Sequence, residues 1–339
     1  MQAAKTIKCK VVQATKAKLS LLDQEYNNLQ IYLKEGKDFG VYSANKQQAK
    51  RYFKKIKQNK EYPLSIRKDL INVKEARSDI CDYWVHVPVK GKRGGVNIPV
   101  KSHCSFPEDC EICESSIIKK KGEFYVNIAI KKEVPQRKSF SSILAIDLGE
   151  KRIATAVLSS GQKPHFYGKE VRGIRRHYAW LRKRLGEKKL LRKIKEIGDT
   201  EKRKVDDVLH KVSHAMVNLA ARNNAIIVLG DLKGIRRSKK GKRFNRIIAN
   251  MPYFRLTEMI KYKAAWLGLP VIKIGEKNTS KECPKCGLEG KRPHQGLFRC
   301  NNCSYEANAD FVGAQNILKR FKDYMSLDGA VVNQLITIP

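Results

Sequence analysis

The second half of this chain predicts an α/β domain built on a mixed sheet covered on both faces. Two observations carry that prediction. Apolar strands alternate with helical segments from Ile143 onward, and one strand, Ile226–Leu229, is apolar throughout, as burial on both faces requires. The first half predicts a small antiparallel β-barrel with a helical segment set into it, because period-two alternation between Tyr83 and Val134 follows a stretch of three- and four-residue apolar spacing. At 339 residues the chain exceeds the roughly 100 to 200 residues of one domain, so two or three packed units are expected.

Charge narrows the partner. The sequence carries 70 Lys and Arg against 33 Asp and Glu, a formal charge of +37 with a pI near 9.9. A surface so positive repels itself unless polyanions neutralise it, which favours nucleic acid and binding that weakens steeply with salt. No stretch approaches the roughly 20 apolar residues of a membrane span, and Met1-Gln-Ala-Ala-Lys-Thr6 lacks the apolar core of a signal peptide. An intracellular protein with no membrane partner is expected. Nine cysteines, mostly in C-x-x-C pairs, fit metal ligation in a reducing compartment better than disulfides.

The elements follow in order. Lys8–Val12 reads as a short strand that completes the barrel. Residues 14–78 read as a helical unit: Leu19, Leu22, Tyr26, Leu29 and Tyr32 share one face of a first helix, and further helices are expected over 44–58 and 64–77. Its many lysines suit gripping a duplex. Trp84–Pro88, Val96–Val100 and Phe124–Ile130 read as barrel strands between Gly- and Lys-rich turns, and residues 135–142 as a polar linker. Strands are then expected at 143–148, 153–158 and 164–168. A very basic helical hairpin near 174–196 and an amphipathic helix through Val205, Val208, Leu209, Val212, Met216 and Leu219 come next. The strand Ile226–Leu229, a helix over 254–267 stopped by Gly268, and a strand at Val271–Ile274 complete the pattern.

Two kinds of site stand out. Cys283-Pro-Lys-Cys286 and Cys300-Asn-Asn-Cys303 are separated by 13 intervening residues, close to the spacing of a zinc ribbon whose two knuckles supply four tetrahedral thiolates. A closed four-sulfur site has no open position, so this Zn²⁺ is expected to hold a loop rather than do chemistry. Cys104, Cys110 and Cys113, with His103 and the earlier Cys81, form a weaker candidate for a second site, while His210 and His214 lack an acidic third ligand. The second kind of site is acidic. Asp147 ends the apolar run Ile143–Ile146 and is followed by a Gly turn and an antiparallel partner, Ile153–Leu158, which is how an RNase H-like nuclease places its first metal ligand. Asp310 follows the second cysteine knuckle. Phosphodiester cleavage calls for carboxylates around two Mg²⁺ or Mn²⁺ ions roughly 3.5 to 4 Å apart, and a third acid is expected at the C-terminal end of a neighbouring strand.

Asp147-Leu-Gly149, Asp231-Leu-Lys-Gly234-Ile235, Tyr262-Lys-Ala264, Asn278-Thr-Ser-Lys281 before the cysteines, Asn308-Ala-Asp310 and Ala314-Gln-Asn-Ile317 together resemble the TnpB family of transposon-encoded, RNA-guided nucleases with a RuvC domain. The similarity is dense from about 143 to 320 and weaker before that. The resemblance implies an RNase H-like (RuvC) domain at 143–282 and 304–322 with the zinc ribbon, 283–303, inserted. It further implies a wedge barrel at 1–13 and 79–137, a recognition segment at 14–78 and a tail at 323–339.

The chain departs from the family at one position. Gly230 stands where the family usually has Glu, and Asp231 is a poor substitute, since adjacent strand residues point to opposite faces. Glu276, at the end of the next strand, is the candidate replacement, because neighbouring strands lie about 4.8 Å apart. It stands three residues before Thr279-Ser280-Lys281, similar to the Fanzor-type arrangement. Glu258 on the preceding helix is a more distant alternative.

The resemblance implies RNA-guided cleavage of double-stranded DNA beside a short flanking motif, with Asp147, Glu276 and Asp310 holding Mg²⁺. A nuclease-inactive, repressor-like RNA-guided binder is the alternative that Gly230 raises. A cytoplasmic, nucleoid-associated location is expected in a prokaryote, a nuclear one in a eukaryote. The run Arg236-Arg-Ser-Lys-Lys-Gly-Lys-Arg243 is expected to contact phosphates of a strand entering the site, with a localisation signal or a plain exposed loop as the alternatives.

Overall fold

The computed structural model describes residues 2–135, 137, 139–161, 163–232, 241, 251–276, 279–294 and 296–327. The chain forms two compact units, Met1–Val134 and Pro135–Pro339. The basic run 236–243, apart from Gly241, lies outside the described residues, as do Asn278 and residues 328–339.

The spine of the first unit is a long strand, β1 (Gln2–Val11), longer than the 8–12 segment the sequence predicts. Ala3, Ile7 and Cys9 are buried while their neighbours are not, the period-two pattern of a one-sided sheet. The further strands are β2 (Leu64–Ile66), β3 (Asn72–Ser78), β4 (Cys81–Val87), β5 (Val96–Ser102), β6 (Glu111–Ile112), β7 (Ser115–Lys120) and β8 (Glu123–Glu133). They run in the order β2-β7-β8-β1-β5-β4-β3, with β6 also on β8.

Two expectations fail here. The barrel does not close by hydrogen bonding, since β2 and β3 are the two ends of the sheet. The helix expected over 64–77 is instead β2 and β3. Leu64 and Ile66 alternate with Ser65 and pair with β7, and Val73 pairs with Val85 of β4, so sheet pairing overrides a weak helical pattern.

Helix α1 (Lys16–Glu35) starts where the Thr15 hydroxyl accepts the Lys18 amide and ends at Gly36, whose φ of 74° suits glycine. It buries Leu22, Tyr26 and Leu29, with Tyr26 edge-on to Phe124 at 5.8 Å. The second helix, α2 (Ser43–Tyr52), is shorter than the predicted 44–58. Buried Glu25 ties these elements together, accepting from Tyr42 N at 2.9 Å, Asn45 Nδ2 at 2.7 Å and Lys90 N at 3.0 Å.

The second unit holds a five-stranded sheet of β9 (Ser142–Asp147), β10 (Ala154–Leu158), β11 (His165–Tyr167), β12 (Ala225–Asp231) and β13 (Val271–Gly275), ordered β11-β10-β9-β12-β13. The first three are antiparallel, and β12 runs parallel to both β9 and β13. Helices α3 (Glu170–Glu187) and α4 (Leu191–Arg222) form the expected basic hairpin about a turn at 188–190, but its second arm does not stop near 196 and runs on through the amphipathic segment as one continuous 32-residue α4. One face of the sheet packs Leu144, Ile146, Ile227 and Leu229 against α4 and α5 (Tyr253–Trp266). The opposite face packs Ala145, Val228, Ile272 and Ile274 against Ala314, Ile317 and Phe321 of α6 (Ala309–Leu327). Helix α6 runs beyond residue 322, into the expected tail. The small sheet β14 (Gly290–Lys291), β15 (Leu297–Cys300) and β16 (Glu306–Asn308) carries the cysteines. Among the described residues, no helix is long and apolar enough to cross a membrane.

Candidate active site

Strand parity brings the acids together. Asp147 follows Ala145 by two residues on β9, Gly230 follows Val228 on β12, and Glu276 follows Ile274 just beyond β13. All three predecessors belong to the face packed on α6. The register sets Leu229 beside Ile146 and Gly230 beside Ile274, so these positions cluster at the C-terminal ends of three adjacent parallel strands. Asp231 has the opposite parity, that of Ile227 and Leu229, and the α4 side is its natural direction. Helix α6 brings the remaining acid. Asn308 caps it, its Oδ1 accepting from Asp310 N at 2.9 Å and Phe311 N at 3.2 Å, which places Asp310 in the first turn.

Glu276 lies over Gly230. A Cβ built on Gly230 would overlap the Glu276 carboxyl and come within 2.5 Å of its Cγ, so this backbone passes under the glutamate only because it bears no side chain. Gly313, one helical turn after Asp310, plays the same part for Asp147: a Cβ there would stand 2.8 Å from Asp147 Oδ2. Gly149 is the third such position, where a Cβ would meet Asp310 Oδ1 at 3.6 Å and Arg152 O at 3.0 Å.

Burial and mutual repulsion set the charge state of the cluster. Burial, then the nearby Asp310 charge, raises the Asp147 pKa to about 7. Burial, then Asp147 and Asp231, raises Glu276 to about 8. Burial also raises Asp310, opposed by Arg292, Lys151 and Arg152. Glu276 Oε1 is buried without a hydrogen-bond partner. Such an oxygen is costly unless something supplies positive charge to it. The three carboxylates form an all-oxygen donor set of the kind that holds hard divalent cations. They are not drawn within 4.8 Å of one another, the spacing that among the described residues only the cysteine group attains.

Sequence reasoning missed two neighbours. Arg292, next to β14, donates from Nη2 to Ala309 O at 3.2 Å, and its charge lowers the pKa of both Asp147 and Asp310. Tyr253, buried at the start of α5, has its phenol pKa raised by burial and then by the charges of Asp147, Glu150, Glu276 and Asp310. No spacing in the sequence marks either residue, because each arrives from a different element.

The four cysteines converge. Cys283 and Cys303 Sγ are 3.6 Å apart, Cys286 and Cys300 Sγ 3.4 Å, and all four lie within 4.8 Å of one another. Tetrahedral coordination with metal–sulfur bonds of about 2.3 Å separates sulfurs by roughly 3.8 Å. The amides of Asn302 and Cys303 point at Cys300 Sγ at 3.4 and 3.5 Å, and its pKa is lowered accordingly. The ribbon is fastened to α6 by buried Asn316, whose Nδ2 donates to Thr279 O and Glu282 O at 2.7 Å each.

The other candidates are not assembled. Cys104, Cys110 and Cys113 form no metal-ligating group with His103 or Cys81 among the described residues, and His103 Nδ1 lies 3.4 Å from Lys8 O. His214 bonds Asn218 at 3.0 Å, and the His210 carbonyl accepts from Lys263 at 2.7 Å. Glu258 is paired with Lys261 at 3.0 Å on the α5 surface.

Residues 253–317 match the family described as Cas12f1-like, TNB domain. The chain is 31% identical over 204 residues to the TnpB-like protein MJ0751 of Methanocaldococcus jannaschii, covering 57% of this chain and 73% of that protein. It is 33% identical over 221 residues to the CRISPR-associated endodeoxyribonuclease Cas12f1 of Sulfoacidibacillus thermotolerans, covering 58% of this chain and half of that one. Among solved structures, the AacC2c1–sgRNA–extended non-target DNA ternary complex matches with a TM-score of 0.51 at 8% identity, over 78% of this chain and 56% of that one, a likeness of fold alone.

Proposed function

Starting from a chain that belongs to the TnpB family, we propose an RNA-guided DNA endonuclease whose hydrolytic centre is Asp147, Glu276 and Asp310. The observation that carries this reading is the Glu276 carboxyl lodged over Gly230, on the face that Asp147 also occupies. The glutamate has moved to the neighbouring strand while the place it serves has stayed fixed, as in the Fanzor-type arrangement. The cations distributed over both units suit an RNA–DNA partner recognised through backbone and shape, with base pairing to the guide selecting the sequence and the protein reading a short flanking motif. The names of the relatives, which include RNA-guided and CRISPR-associated endonucleases, support the same activity.

The residues fit Mg²⁺ or Mn²⁺. The cluster offers carboxylate oxygens only, and an unpartnered buried oxygen, Glu276 Oε1, is among them. When bound, such ions activate water and stabilise the leaving oxygen. The chain supplies the rest. Asp147, fixed at the end of β9 against Gly313, anchors the centre. Asp310 is oriented by the Asn308 cap, and Glu276 closes the remaining side. Arg292 brings a guanidinium beside Asp147 and Asp310, where it can hold a phosphate oxygen. Tyr253 keeps its proton and remains a hydrogen-bond donor. The thiolates of Cys283, Cys286, Cys300 and Cys303 fit Zn²⁺ and would, with the ion bound, hold the ribbon that carries Arg292. The setting is the cytoplasm, on the nucleoid, in a prokaryote and the nucleus in a eukaryote.

The competing reading is an RNA-guided binder that acts by occupancy, and Gly230 is the observation that favours it. The deciding experiment purifies the protein with its bound RNA, sequences that RNA, and offers DNA complementary to it with Mg²⁺. Cleavage by the wild type and none by Glu276→Ala establishes the nuclease. Tight guided binding without cleavage by the wild type establishes occupancy instead.

A further inference from the structure

The outer face of the first unit carries an aromatic residue that its core does not need. On β4, Val85 and Val87 point inward and are fully buried, so Trp84 and His86 point outward, and Trp84 is 38% exposed. Strand register extends these two residues into parallel ranks across three strands. Lys74, Trp84 and Pro99 form one, and Asn72, His86 and Asn97 the other. Apart from buried Pro99, these residues line a groove of about 760 Å³ together with Lys18 of α1 and residues 69–71, whose Asp69 is paired with Arg67, a volume within the roughly 300 to 1,000 Å³ of small-ligand sites.

The chemistry of the groove is specific. Lys18 Nζ stands 4.8 Å over the Trp84 ring, so the indole face already draws a cation, and a base that stacks there takes the place of the ammonium and leaves it for the phosphate. His86 Nδ1 and Asn97 Oδ1 are 3.1 Å apart. With the proton on Nδ1, that bond leaves Nε2 as an acceptor and the Asn97 amide as a donor. Gly95 lets the chain pass close to the imidazole: a Cβ there would sit 2.8 Å from His86 Cε1, and its φ is +69°. Lys90, Lys92 and Arg93 are exposed in the same β4–β5 turn. An aromatic platform, paired amide and imidazole edges and surrounding cations are what an unpaired nucleotide requires for stacking, base-edge bonding and phosphate neutralisation.

We propose that this groove binds one unpaired nucleotide of the guide RNA, its base stacked on Trp84, its polar edge on Asn72, His86 and Asn97, and its phosphate on Lys18 and Lys74. A paired base keeps both faces inside its own helix and cannot take the indole. The 2′-hydroxyl gives the carboxamides a partner that DNA lacks. The proposal rests on RNA being the partner of this chain, and it is independent of whether the chain cleaves DNA.

The test uses the full chain stripped of RNA and carrying Trp180→Phe and Trp266→Phe, which leaves Trp84 as the one indole of three. Titration with hexauridylate should quench Trp84 saturably, and an RNA duplex of similar length should not. Trp84→Ala should weaken hexauridylate binding by about tenfold or more, the size of one stacking contact, whereas Trp84→Phe stays within about threefold. Both variants should keep the wild-type melting temperature. An unquenched Trp84 in protein that still binds its copurified RNA overturns the groove and leaves the RNA reading standing. Protein that binds no RNA removes the premise and the proposal together. Hexathymidylate binding as tightly as hexauridylate overturns the assignment to RNA.

Discussion

The carboxyl of Glu276 occupies the space that a side chain on Gly230 would fill. Parallel pairing of β12 and β13 sets Gly230 beside Ile274, and Glu276, two residues on, folds back over that position. The two sites therefore exclude each other sterically, and several expected outcomes follow from this and from the packing of α6.

Gly230→Glu alone should be destabilised by about 1–3 kcal/mol, the usual cost of overpacking, and should not cleave. Combined with Glu276→Gly it should recover both stability and cutting, because the second change vacates the overlap. Thermal melting and a plasmid-cleavage assay on the two variants check this.

Glu276→Gln should lower cleavage by about a thousandfold, since several kcal/mol of transition-state stabilisation depend on its charge. Guided DNA binding should be unchanged in a filter assay. Near neutral pH the metal-free variant should melt close to wild type, because the raised pKa of about 8 already keeps most of the Glu276 carboxyl protonated and a neutral amide replaces a neutral acid.

The raised pKa values of Asp147, about 7, and Glu276, about 8, fix the sign of a pH effect. Both folded values lie above the unfolded values of roughly 4, so the folded metal-free protein binds more protons than the unfolded chain. The stabilising contribution is full below about pH 4 and is lost as pH rises through about 7 to 8. Divalent metal competes with those protons. Mn²⁺ affinity, followed by calorimetry, should therefore rise between about pH 6 and 8, and cleavage should rise with it.

Gly313→Ala separates stability from activity. Alanine favours the interior of α6 by about 1 kcal/mol, yet its Cβ meets Asp147 Oδ2 at 2.8 Å. Melting temperature should hold or rise, while cleavage falls by about tenfold to a hundredfold as the carboxylate is displaced.

Zinc removal should reach the cluster indirectly. Cys303→Ser, or a strong chelator, frees the ribbon that positions Arg292 and leads through Asn308 into α6. Metal analysis should show loss of one zinc per chain, and cleavage should fall although Asp147, Glu276 and Asp310 are intact.

Much of the second unit is legible in the sequence because its signals are local. Apolar runs mark β9 and β12, alternation tells Gly230 from Asp231, and cysteine spacing marks the ribbon. Residues 64–78 read poorly because Leu64, Ile66 and Val73 become strand only through partners on β7 and β4, far away in sequence. Arg292 and Tyr253 were invisible for a similar reason: a ribbon turn and a helix start deliver them to the acids, and no periodicity connects them. Gly313 reads as an ordinary helical glycine until Asp147 is seen against it.

The overlap of Gly230 with Glu276 also constrains descent. A lineage moving the acid from one strand to its neighbour cannot hold both forms at full fitness in one chain, so its path crosses either an impotent intermediate or a strained one. Ancestors bridging the two arrangements should accordingly be rare, and a survey that looks for a glutamate at one alignment column would count a chain such as this one as degenerate without weighing the acid on the next strand.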